Sequence, residues 1–275
     1  MNDQPNNIML PAPGVPVIPY FNWGGMRALY VKEVRRFFKV QLQTIWAPAM
    51  QTLLYLVIFT VALGAGGRQV MGHPFATFVA PGLIAMGMMQ AAFANSSFSL
   101  LAAKLQGTII DYLMPPLSPG EILAALVASS MTRAILVGLA VWAAMLFWPG
   151  VDVIPSQPLG VIWFGLMGAA LLSFLGVFTS IWVDKFDNAA SVQNFVIFPL
   201  SLLSGTFYSV TALHSGFQAI SHANPFFYVI SGFRYGFLGT SDSPIVIGAF
   251  ALLAVNIALG WLNYAVLVRG WKIKS

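Results

Sequence analysis

Few side chains in this sequence could do chemistry. His73, His214 and His222 could ligate a metal or shuttle protons, but none has a carboxylate spaced to pair with it, and no HExxH motif occurs. His214 and His222 share a helical face only at i, i+8. No serine sits in a GxSxG elbow, and no GxxxxGK[ST] loop is there to cradle nucleotide phosphates. Without cysteine there is no thiol nucleophile, zinc-thiolate site, iron–sulfur cluster or disulfide. Arg133 is different, because it is a charge in the interior of a long apolar run. One reading gives it the phosphate or carboxylate of a bound molecule. The other pairs it with helix-end carbonyls or lets it snorkel to the inner face. All eight acids fall in tails, loops or span ends, so the mid-membrane carboxylates of an ion-coupled pump are missing.

The elements that carry these residues belong in a bilayer. Hydrophobic residues make up 58% of the chain and charged residues 8%, against roughly 25% charged in a soluble domain. Such a chain cannot cover a soluble surface, and it is too apolar for disorder. The net charge of +5 therefore says where the chain sits in a membrane and does not point to nucleic acid.

A spanning helix needs about 20 mostly apolar residues. Gaps between charges predict an all-α polytopic protein with six transmembrane helices, at about 46–65, 78–103, 121–148, 160–183, 192–210 and 245–268. Pro199 should kink the fifth. Residues 211–223 and 225–235 are each too short to cross, and Asn224-Pro225 between them is a helix-start signal. They predict an extracellular re-entrant pair between spans five and six, with Arg234 at its end. Six spans place ten basic residues inside and two, Arg68 and Arg234, outside, with both termini cytoplasmic. A seventh span would put Arg269, Lys272 and Lys274 outside, against that rule.

The Pro-rich stretch 1–20 has no basic or apolar leader pattern and reads as a flexible cytoplasmic tail. Residues 21–45 hold an N-terminal amphipathic interface helix. Its apolar stripe is Trp23, Met26, Tyr30, Val34 and Phe37, and Lys32, Arg35, Arg36 and Lys39 lie opposite. It is expected in the inner headgroup layer, as a lipid anchor or a partner's docking surface. Between spans two and three, residues 104–121 read KLQGTIIDYLMPPLSPGE. Ser118-Pro119-Gly120-Glu121 fits a capping box that starts span three. A short helix over 105–113, ended by Pro115-Pro116, is either a lever for a soluble partner or an ordinary loop.

Residues 198–239, FPLSLLSGTFYSVTALHSGFQAISHANPFFYVISGFRYGFLG, resemble the signature region of type-2 ABC exporter permeases. PGLIAMG at 81–87 is similar to that family's second span, and Gly107, Asp111, Pro116, Ser118 and Glu121 to its coupling-helix segment. The likeness runs from about residue 21 to 272. It is nearer to bacterial inner-membrane transport permeases than to nodulation and polysaccharide export permeases. The resemblance implies a multi-pass subunit of the bacterial inner membrane that pairs with a second copy of itself. Each copy would dock one soluble ATP-binding subunit, and ATP and Mg would be bound there and not by this chain. Docking would fall to Leu105, Ile109, Asp111, Tyr112 and Leu113, with Lys32, Glu33, Arg35 and Arg36. The path for an exported lipid, glycolipid or hydrophobic drug would be lined by Tyr55, Phe59, Met86, Gln90, Asn95, Phe195, Phe198, Ser204 and Phe207. The rival readings are a secondary transporter acting alone, a membrane enzyme and a structural membrane subunit. The first two need paired ionisable groups, or a nucleophile or metal cluster, which the sequence lacks.

Overall fold

The computed structural model describes residues 20–63 and 69–270. The expected tail, Arg68 and the C-terminal residues Lys272 and Lys274 lie outside them.

Helix α3 (Phe75–Leu105) is the axis of the fold. It carries Ala, Gly, Ser, Met and Phe on every side instead of one apolar stripe, so it is buried nearly all round. Around it stand α2 (Ala47–Leu63), α5 (Pro119–Leu146), α6 (Pro158–Trp182) and α10 (Pro225–Leu238). Small residues permit the close approach, since helices in lipid associate by packing more than by water exclusion. A methyl group on Gly176 of α6 would stand 2.0 Å from Ser96 Oγ and 2.7 Å from the Phe93 carbonyl of α3.

Among the described residues five helices are long and apolar enough to cross a membrane: Leu42–Val61, Phe75–Leu105, Pro119–Leu146, Pro158–Trp182 and Ile245–Arg269. The last is α11, which lies mostly on the outside of the bundle. Its inward line is Gly248, Leu252, Asn256 and Asn263. Asn256 Nδ2 donates to the Met167 carbonyl and Asn263 Nδ2 to that of Phe174, each at 3.2 Å. Both pairs are offset by 89 residues, so α11 runs parallel to α6.

The expected fifth span differs in its bounds. Helix begins at Phe186, with α7 (Phe186–Val192), a π-turn (Gln193–Ile197) and α8 (Phe198–Leu203) running on without a break. It begins six residues earlier than expected because Asp187 and Asn188 are polar but helical. It stops at Leu203 because Gly205 turns into the left-handed region at φ +79°. A second π-turn, Leu42–Trp46, opens the first span ahead of α2. Each π-turn is followed two residues later by a proline, Pro48 or Pro199. Proline offers no N–H and its ring presses on the carbonyl four residues back, so the helix widens there.

The short helices also have local causes. α1 (Trp23–Phe38) is capped by Asn22, whose Oδ1 accepts from Gly25 N at 2.9 Å. α5 starts with the expected capping box: Ser118 Oγ accepts from Glu121 N at 3.3 Å, and Glu121 Oε2 from Ser118 N at 2.6 Å. Glu121 also accepts from Asn22 N, which ties the starts of α1 and α5 together. The helix expected over 105–113 is smaller. α3 runs through Leu105, Gly107 breaks it at φ +71°, and α4 is the single turn Ile110–Leu113. The pair after α8 is α9 (Ser215–Ala223) and α10, with Asn224 capping α10 by accepting from Phe226 N at 3.1 Å.

Candidate functional site

At the C-terminal end of α3, α1 and α4 meet. α1 follows α5, with Tyr30 OH 2.9 Å from Thr132 Oγ1. Its buried line is Leu29, Glu33 and Phe37, so a carboxylate lies in the face expected to be apolar. Trp23, expected in that stripe, is exposed. Glu33 is 0% exposed and Tyr112 4%. A partner's surface is where the sequence reading puts both, but their polar atoms are spent on each other and on neighbouring helices. Burial, then the Glu33 carboxylate, push the Tyr112 phenol well above its ordinary pKa, so it stays a hydrogen-bond donor. Lys32 Nζ lies 4.0 Å from the centre of the Tyr112 ring. Arg36 turns inward, 3.0 Å from Glu33 and 3.2 Å from Asn95 Oδ1.

Ile110 and Leu113 of α4 and Met114 at its end face outward, the last 76% exposed, and Leu105 at the end of α3 is exposed as well. Asp111 is exposed beside them, and Ile109 is half-buried. Lys32 and Asp111 flank a groove between α1 and α4 floored by Ala28, Leu29, Pro115 and Leu117. Arg35 stays exposed.

The residues expected along a path do not all come together. Tyr55, Met86 and Gln90 share a cleft between α2 and α3 with Gln51, Thr52 and Pro48. Gln90 Nε2 is buried there with no acceptor among the described residues. Phe59 stacks on Phe207 with ring centres 3.8 Å apart. Asn95 lies apart, buried among Arg36 and Ser130. Ser204 is buried under Asn224, whose Nδ2 donates to Ser204 Oγ at 2.8 Å and to the Leu200 carbonyl at 2.9 Å. Phe198 is half-buried, and Phe195 is 81% exposed on the flank of the bundle.

Arg133 has a structural partner: its Nε donates to the Thr44 carbonyl at 3.0 Å. Thr44 lies four residues before Pro48, so the arginine serves a carbonyl that the proline cannot.

Arg234 is the charge that sequence reasoning leaves at the outer surface. Its side chain and that of Asp242 are each 1% exposed and 3.0 Å apart. Arg234 also donates to the Gly205 carbonyl at 2.6 Å and lies 3.9 Å from the centre of the Phe78 ring. Asp242 accepts from Ser209 Oγ as well. This knot joins the turn after α8, α10, the start of α3 and the loop before α11.

A family model described as ABC-2 type transporter matches residues 25–238. The inner membrane transport permease YadH of Escherichia coli K12 is 33% identical over 256 residues, which cover 92% of this chain and 98% of that protein. Nodulation protein J of Sinorhizobium fredii is 26% identical, covering 92% of this chain and 96% of the relative. Nodulation protein J of Rhizobium leguminosarum bv. viciae is also 26% identical, covering 93% of this chain and 98% of the relative. With a bundle of apolar helices long enough to span and an apolar one-turn helix held at one end, the chain belongs to the ABC-2 type transporter membrane family, as the membrane subunit of an ABC transporter.

Proposed function

We propose that this chain is the permease half of an ATP-driven exporter that moves an amphiphile (a lipid, glycolipid or hydrophobic drug) outward across the bacterial inner membrane. Two copies form the path, and each docks one separate ATP-binding subunit on the α4 surface and the α1–α4 groove. The observation that carries this reading is α4 itself. It is one turn of helix, fixed between two spans, with Ile110, Leu113 and Met114 bare beside Asp111.

The chain crosses six times with both termini inside. The parallel run of α6 and α11 supports this, because the 186–244 segment must then cross an odd number of times, and 186–203 is its one long helical run. α9 and α10 form the re-entrant pair at the outer end. The Asn224 side chain supports it by satisfying the backbone where α8 ends, as membrane depth demands. Substrate passes along the α2–α3 cleft at Tyr55, Met86 and Gln90 and past the Phe59–Phe207 stack.

Co-reconstitution with the partner ATPase in vesicles carrying a headgroup-labelled phospholipid or glycolipid tests the reading. ATP should move label to the leaflet that corresponds to the outer face. Equal label distribution with and without ATP, across lipids and hydrophobic dyes, would defeat it.

A further inference from the structure

Where α1, α3 and α4 meet, the Glu33 carboxylate is closed off from solvent and takes donors from all three helices. Tyr112 OH donates to Oε1 at 2.6 Å, Ser99 Oγ to Oε2 at 2.5 Å, and Arg36 Nε to Oε2 at 3.0 Å. The chain of contacts continues inward. Arg36 reaches Asn95 Oδ1 at 3.2 Å, and Asn95 Nδ2 donates to Ser130 Oγ of α5 at 3.0 Å.

A buried carboxylate is a poor way to gain stability, because desolvation offsets most of what its partners return, and an apolar side chain would pack there without that cost. What it supplies is direction, since each donor must point at one place. α4 needs such a tie. It is a single turn hung between Gly107 and the Pro115-Pro116 pair, its backbone N–H groups bond only within the segment, and beyond it Asn22 Nδ2 reaches the Pro116 carbonyl at 3.1 Å.

We infer that Glu33 is a positioning residue that fastens α4 to α1 and to the inner part of α3. Displacement of α4 then moves the three as one body and reaches α5 through Arg36, Asn95 and Ser130. This rests on the proposed reading that an ATPase pushes on α4.

The test uses the full complex in proteoliposomes with Met86→Cys in the Cys-free chain. Met86 is buried in the α2–α3 cleft, so its reaction with an impermeant thiol reagent from the outer side reports opening of the path. With Glu33 and Tyr112 intact, ATP should raise the labelling rate about fivefold or more, the scale of an allosteric coupling. Glu33→Gln and Tyr112→Phe should each abolish that rise while the complex still assembles and hydrolyses ATP. The double variant should be no worse than Glu33→Gln alone, since Tyr112→Phe removes one of the three bonds that Glu33→Gln disturbs. An unchanged rise in Tyr112→Phe and Glu33→Gln overturns the inference and leaves the docking reading intact. So does a Glu33→Gln complex that falls apart while Tyr112→Phe stays fully coupled, because Glu33 then serves assembly alone. No ATP dependence with both residues intact defeats the docking reading, and the inference with it.

Discussion

Arg133 and Pro48 answer each other across two helices. Pro48 leaves the Thr44 carbonyl without its helical donor, and Arg133 supplies one from α5 at 3.0 Å. Arg133→Ala should therefore destabilise the chain by about 1–3 kcal/mol, the cost of a buried acceptor left unmet. In a Pro48→Ala background the loss should shrink, because alanine at that position returns an N–H to the helix; thermal unfolding in detergent reads both. The Arg234–Asp242 pair is costlier to break. Asp242→Ala leaves a buried guanidinium without its counter-charge, an expected loss of about 3–5 kcal/mol, while Arg234→Met with Asp242→Leu should recover most of it. These two arginines differ in how far the sequence exposes them. Arg133 is visible as the lone charge in an apolar run, but only the structure brings it to the Thr44 carbonyl. Arg234 lies near a stretch of turns, and only tertiary closure brings Asp242, Ser209 and Gly205 around it. The burial of Glu33 is legible from its spacing: it lies four residues before Phe37 and three after Tyr30, at the edge of the apolar stripe of α1.

At the scale of elements, charge-free runs locate the spans because a bilayer penalises a charge far more than it rewards any one apolar residue. The long helices fall within a few residues of the expected bounds, and the capping box at Ser118 and the Asn224-Pro225 start both hold. The run 186–203 departs from expectation because polarity at Asp187, Asn188, Gln193 and Asn194 does not stop a helix, whereas a left-handed Gly205 does. Neither π-turn is legible, although each proline is in plain view, because the sequence does not say whether a proline kinks a helix or widens it. α4 gives a prediction of its own. Tyr112 faces in and Leu113, 43% exposed, faces out. Leu113→Ala should weaken ATPase docking by about 1–3 kcal/mol and leave unfolding of the isolated chain unchanged. Tyr112→Ala should lower the unfolding temperature of the chain itself. Titration of the ATPase onto each variant, beside its melting curve, separates the two.

For the whole molecule, topology and assembly carry the account. Single cysteines at Gln69 and Ser241 should react with an impermeant thiol reagent from outside, and one at Ser275 should not; external labelling at Ser275 would contradict six crossings with the C-terminus inside. Two long faces of the bundle stay bare, Met50, Leu54 and Ile58 on α2 and Val246, Phe250, Ile257 and Trp261 on α11. The sequence has no means of assigning them to lipid or to a second copy, because both are apolar surroundings. The central claim is that a separate ATPase drives this chain through α4, and native mass measurement of the complex purified with its P-loop partner tests it most directly. The account predicts two copies of each subunit from the unmodified chain, and a permease that inserts normally but comes away without the ATPase when Ile110 and Leu113 are both changed to Asp. An ATPase that stays bound at full stoichiometry to that double variant would contradict it.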